Sequence, residues 1–187
     1  MKKNTQRLAL TAIMLALASV LSMIKIFQMP LGGSVTLLSM LPIALVSIKY
    51  GVKWGTFTSL MYAIIQLVFG IIFDGVLGWG LTPVVLVACF VFDYILAFGI
   101  LGLAGLFRKK GLVGICGGIA MTLCLRFASH VFSGTVLFAS FMPEEWSNPF
   151  LYSICYNGAY MLPELILTMI GAVILFKTPQ IRKIINA

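Results

Sequence analysis

Long apolar stretches alternate with short polar links along almost the whole chain. The apolar segments run over about 6–27, 36–50, 54–73, 84–107, 112–140 and 150–176. A helix needs about 20 largely apolar residues to cross a bilayer. The pattern therefore predicts an all-α polytopic membrane protein, a bundle of six transmembrane helices. With the links removed almost nothing remains for a soluble part, so residues 1–187 read as a single six-helix transmembrane domain. Composition agrees: 61% of residues are hydrophobic and only 10% charged, as in polytopic membrane chains.

The N-terminus imitates a signal peptide, with Lys2, Lys3 and Arg7 before an apolar run and Ala16-Leu17-Ala18 as a cleavage-like site. The run continues to Phe27, long enough to span, so it is read as the first helix. That helix carries Ala9, Ala12, Ala16 and Ser19 at spacings of 3, 4 and 3. Small residues on one face let a neighbouring helix approach closely. The neighbour is either another helix of this chain or a separate subunit. Pro30 and the Gly32-Gly33 pair, followed by Ser34, mark an irregular outer loop, a lid or a plain connection. Pro42 interrupts a short second helix. Trp79 and Trp146 read most simply as interfacial belt residues, with an aromatic wall over a site as the other reading.

Charge changes the picture in one respect. The net charge of +8 suggests an anionic partner until its placement is considered. Lys2, Lys3 and Arg7 precede helix 1, and Lys49 and Lys53 join helices 2 and 3. Arg108, Lys109 and Lys110 join helices 4 and 5, and Lys177, Arg182 and Lys183 follow helix 6. Eleven of the 13 basic residues thus fall at alternate helix ends, while Asp74, Glu144 and Glu145 lie at the opposite ends. This is the positive-inside pattern for two cytoplasmic termini. It points to the lipid bilayer rather than to nucleic acid as the partner of the basic residues. Neither GxxxxGK[ST] nor a Rossmann GxGxxG occurs. ATP-driven transport would therefore need another protein to hydrolyse ATP. Cys89, Cys116, Cys124 and Cys155 lie inside apolar spans without metal-ligand spacing and read as packing thiols. No metal or cofactor is expected.

A few strongly polar side chains lie deep in the spans: Asp93, Arg126, His130, Asn157 and Glu164, with Tyr152, Tyr156 and Tyr160 beside them and Gln66 a weaker member. Lipid tails do not solvate such groups, so they should face protein or a polar cavity. Arg126, His130 and Gly134, at i, i+4 and i+8, share one helix face. At about 1.5 Å rise per residue, Asp93, His130 and Asn157 fall at one level in the outer half of the membrane. Arg126 and Glu164 lie deeper and are expected to form a supporting ion pair between helices 5 and 6, with Asp93 the competing partner of Arg126. A carboxylate, an imidazole and an amide suit a nitrogen heterocycle with an amino group. Tyr94, Phe132, Phe138, Tyr152 and Tyr156 offer faces for stacking, and a cationic ring would gain from them and from Asp93.

Three stretches carry a family resemblance: Asp93-Tyr94-Ile95-Leu96-Ala97-Phe98, then Leu125-Arg126-Phe127-Ala128-Ser129-His130-Val131-Phe132-Ser133-Gly134, then Tyr152-Ser153-Ile154-Cys155-Tyr156-Asn157-Gly158. In order, they resemble the thiamine-specific S-component of energy-coupling-factor (ECF) transporters. Met29-Pro30-Leu31-Gly32-Gly33-Ser34-Val35 is similar to that family's first outer loop. The resemblance implies a multi-pass subunit of the bacterial plasma membrane that captures extracellular thiamine. It also implies partners: a membrane coupling protein and two cytoplasmic ATPase subunits. On the same ground Asp93 would hold the aminopyrimidine and His130 would contact it, Tyr152 and Asn157 would complete the pocket, and Phe138 stands where some members have tryptophan. Ala12 and Ala16 match the docking surface for the coupling protein. Two departures stand out. Some members have glutamate at the position of Asp93, and some lack an acid at that of Glu164. Both leave room for a thiamine precursor or analogue, or for another heterocyclic vitamin. A stand-alone ion-coupled carrier titrating Asp93, His130 and Glu164 is a reading of a different class. An intramembrane enzyme is a distant third, because His130 lacks a clear nucleophile or second metal ligand nearby.

Overall fold

A computed structural model describes residues 2–30 and 32–179. Leu31 of the first outer loop, and Arg182 and Lys183 of the last basic cluster, lie outside the described residues. The first helix, α1, spans Lys2–Met23, four residues short of the expected end. Its apolar run continues as a strand, β1 (Lys25–Gln28), which pairs antiparallel with β2 (Ser34–Thr36). The expected irregular loop is therefore a hairpin, and the described fold is not wholly α-helical. Ile26, Phe27, Val35 and Thr36 are β-branched or aromatic, types that favour a pleated strand. Gly32 and Gly33 supply φ of 81° and 78° at the turn, where a side chain would be strained. Met29 N–H donates to Gly33 O at 2.9 Å and closes it.

Helix α2 covers only Leu41–Tyr50, with a proline in its first turn. Ten residues rise about 15 Å, half the hydrocarbon thickness. The second expected span is thus a strand end, a turn and a short helix. Gly51 alone, at φ 91°, links it to α3 (Val52–Ile72). Helix α4 runs over Pro83–Gly105, but its middle, Phe90–Leu96, is π-helical and Ile100–Gly105 is 3₁₀. Helix α5 spans Gly111–Val136 and α6 spans Pro149–Lys177. Asn148 caps α6 by accepting from Phe150 N and Leu151 N at 2.9 and 3.2 Å. Among the described residues, α1, α3, α4, α5 and α6 are long and apolar enough to cross a membrane.

At the end of the bundle near Gly51 and Arg108 the helices meet backbone to backbone. Ser47 Oγ donates to Gly102 O at 2.5 Å and accepts from Gly105 N at 2.9 Å. Gly118 of α5 lies directly on the Ala104 carbonyl of α4. This small-residue packing is how helices associate in lipid, where apolar burial gives no drive. Ile43, Tyr62, Leu101, Ile119 and Leu123 fill the core beside it. Ala9, Ala12 and Ala16 are exposed on α1, so no other helix of this chain packs over that stripe among the described residues.

Candidate functional site

At the other end, the hairpin, α3, α4, α5 and α6 surround a cavity of about 400 Å³. The periodicity of α5 explains what enters it. Gly114, Gly118, Thr122, Arg126, His130 and Ser133 are buried on one face, small residues toward the Gly51 end and polar ones toward the cavity. On α4 the π-helical segment carries Asp93 and Tyr94. A π turn adds a residue and re-aims side chains, and such turns recur at functional sites. On α6, Tyr152, Tyr156 and Tyr160 follow each other at every fourth position, with Ser153 and Asn157 beside them.

The polar groups form one chain of hydrogen bonds. Arg126 Nε–H donates to His130 Nε2 at 3.2 Å. Guanidinium has no acceptor, so Nε2 must carry the lone pair and the proton sits on Nδ1. His130 Nδ1–H then donates to Asp93 Oδ1 at 2.8 Å, and Ser133 Oγ–H donates to Asp93 Oδ2 at 2.5 Å. The imidazole is thereby neutral and fixed in one tautomer from both sides. Arg126 is completed by Met40 Sδ at 2.7 Å and by the Phe98 ring, whose centroid is 4.1 Å from Cζ. Asn157 Nδ2 donates to Ser153 O at 2.9 Å and to His130 O at 3.3 Å, and its Oδ1 accepts from Tyr160 at 2.7 Å. Gly134 is where α5 and α6 close, since a side chain there would strike Ser153.

Rings line the rest. Tyr152, Tyr156 and Tyr160 run down α6 with centroids 5.8 and 6.4 Å apart, ending 6.1 Å from the His130 ring. Trp79 meets Phe138 edge to face at 6.1 Å on another wall. The hairpin is a third wall. Tyr156 donates to the carbonyls of Pro30 and Gly32, Gly32 packs on Trp79, and Gly33 on Tyr160. Lys25 and Gln28 both bond Asp74, which joins the hairpin to the α3–α4 link.

The cavity thus brings together Asp93, Tyr94, His130, Phe138, Tyr152, Tyr156 and Asn157, with Gly32, Gly33 and Ser34 of the hairpin. Three expectations change. The ion pair between Arg126 and Glu164 is not formed among the described residues. Both Glu164 oxygens are taken by Thr36, while the Arg126 charge reaches Asp93 through His130. Phe132 is 48% exposed and does not line the cavity. Trp79 does line it, beyond a belt role, whereas Trp146 packs on Tyr152 from outside. Ser133 escaped the sequence reading of the site. It shares a helix face with His130, a residue already singled out. That spacing was the available signal.

Apolar helices around a ring-walled polar cavity define a multi-pass helical membrane protein with a hollow of small-molecule size. Residues 8–183 match the family described as thiamine transporter protein. The chain is 35% identical to the thiamine transporter ThiT of Bacillus subtilis (strain 168), over 97% of this chain and 96% of that relative. Its fold matches a solved structure of ThiT from Listeria monocytogenes with a TM-score of 0.76. That match has 24% identity and covers 96% of this chain and 98% of the other. The chain belongs to the thiamine transporter protein family.

Proposed function

We propose that this protein is the S-component of an ECF-type importer and captures extracellular thiamine in the Asp93 cavity. The observation that carries this reading is the Asp93 carboxylate, oriented by His130 and Ser133 at the wall of a ring-lined hollow. Thiamine joins an aminopyrimidine, with an amino donor and ring-nitrogen acceptors, to a cationic thiazolium. A carboxylate has about four lone-pair sites; two are engaged, so Asp93 retains capacity for the ligand's amino group. Its charge also complements the cation. Phe138, Trp79, Tyr152, Tyr94 and Tyr156 supply ring faces for both heterocycles. The volume of about 400 Å³ lies within the usual range of small-molecule pockets.

The positive-inside distribution of the basic clusters supports cytoplasmic termini and a hairpin end that opens outward. The exposed Ala9, Ala12 and Ala16 stripe is the docking face for a membrane coupling protein, and two cytoplasmic ATPases supply the energy. The chain itself binds substrate and catalyses nothing. Isothermal titration of purified protein with thiamine tests the reading. Asp93→Asn should weaken binding by about 100-fold or more, the loss of a charged hydrogen bond and its Coulomb partner. A wild-type protein that ignores thiamine, or an Asp93→Asn protein that binds it equally well, would remove the proposal.

A further inference from the structure

Glu164 is buried to 1% exposure yet does not line the cavity. Its Oε2 accepts from the backbone N–H of Thr36 at 2.7 Å, and its Oε1 from the Thr36 hydroxyl at 2.8 Å. Ser39 Oγ lies 2.6 Å from the same hydroxyl oxygen and completes the group. The carboxylate therefore grips the last residue of β2, where the hairpin wall turns into α2. Leu38, two residues on, has φ 59°. A branched side chain is costly in that left-handed conformation and persists only where its surroundings hold it. The hairpin's other polar ties differ in kind. Lys25 and Gln28 bond Asp74 with half-buried to exposed side chains, and Tyr156 donates to the carbonyls of Pro30 and Gly32. The Glu164 bonds are buried, where a hydrogen bond is electrostatically stronger than in water.

We infer that Glu164 is a positioning residue for ligand retention. It touches no ligand. It acts through Thr36 to fix the hairpin wall across the cavity, so that bound ligand leaves slowly. This inference rests on the reading that the cavity takes thiamine. It treats the buried acid as a latch on a wall that would otherwise swing about the strained Leu38 turn.

The test uses wild type and the variants Glu164→Ala, Glu164→Gln, Thr36→Val and Thr36→Ser, purified in micelles. Stopped-flow tryptophan fluorescence gives thiamine association and release rates. Hydrogen exchange without thiamine compares the amides of 25–36 with those of 115–123 in α5. Glu164→Ala should speed release on the order of tenfold, with a smaller change in association, from the loss of the two Thr36 bonds. Hairpin amides should exchange faster while those of α5 keep wild-type rates. Thr36→Val should move the same way, Thr36→Ser should restore wild-type behaviour, and Glu164→Gln should fall between. If Glu164→Ala does not fold, the Thr36 pair carries the test. Wild-type release and exchange in Thr36→Val would overturn the latch, and so would equal gains in exchange across the hairpin and α5. A wild type blind to thiamine would refute the ligand reading alone, and the exchange comparison would still decide the latch.

Discussion

The two ends of the helical bundle solve opposite problems with neighbouring parts of the same helices. Near Ser47, Gly55, Gly102 and Gly105, α2, α3 and α4 touch backbone to backbone, and a single hydroxyl serves two main-chain groups. Side chains have been removed there so that nothing can move. Near Asp93, His130 and Asn157 the contact between α4 and α5 passes to side chains, with Ser129, His130 and Ser133 bonding Phe92 O and Asp93. Large rings and polar groups line the cavity beside them without filling it. A hollow in a membrane bundle would collapse if its helices could slide together. The tight end supplies the resistance; the 3₁₀ stretch of α4 lies in it, and the π-helical stretch carries Asp93 at the hollow.

The largest expected effect lies at the tight end. In Gly118→Val the new side chain meets the Ala104 carbonyl, a backbone atom of a helix packed on its far side. Overpacking of this kind costs on the order of 3 kcal/mol. The variant should show a greatly lowered melting temperature in micelles, or no monodisperse protein at all. A midpoint within about 2 °C of wild type would break the contrast, because the tight end would then be yielding.

The hollow end should behave in the reverse way, losing binding before it loses stability. Ser133→Ala removes one of the two donors to Asp93, a residue of the cavity wall. Thiamine affinity should fall about tenfold with little change in melting temperature. Equal affinity would mean that His130 alone orients the acid. A large drop in melting temperature would mean that the hollow end is packed as tightly as the other.

The difference between the ends also decides what was legible in the sequence. Helix existence follows from apolar runs, and the five long helices appear where the runs are. The face shared by Arg126 and His130 follows from helical spacing, and it meets Asp93 and Asn157 at one cavity. What escaped was set by backbone. Hydropathy alone does not separate a strand from a helix in Lys25–Gln28, so the hairpin was read as helix end and loop. The π turn that aims Asp93 has no side-chain signature. Glu164 was assigned to Arg126 because side-chain charges are visible in a sequence, whereas its actual partner includes the Thr36 N–H, a group every residue but proline possesses. Charge pairing misleads wherever a buried carboxylate finds main-chain donors first.

The smallest effect gives the sharpest comparison, since it sets two adjacent glycines of α5 against each other. Gly118 is buried on Ala104, whereas Gly117 is exposed, and a Cβ there meets nothing within 4 Å. Glycine inside a helix costs about 0.5–1 kcal/mol relative to alanine, through backbone entropy alone. Gly117→Ala should therefore leave thiamine affinity unchanged and raise the melting temperature slightly. Gly118→Ala should lower it, because the gain in propensity is smaller than the clash of its Cβ with a fixed carbonyl. Opposite signs from one added methyl group, one residue apart, would show that contact and not helix propensity governs this end of the bundle. If both alanines stabilise, the closeness of α4 and α5 is incidental, and the hollow must owe its width to the hairpin and the rings instead.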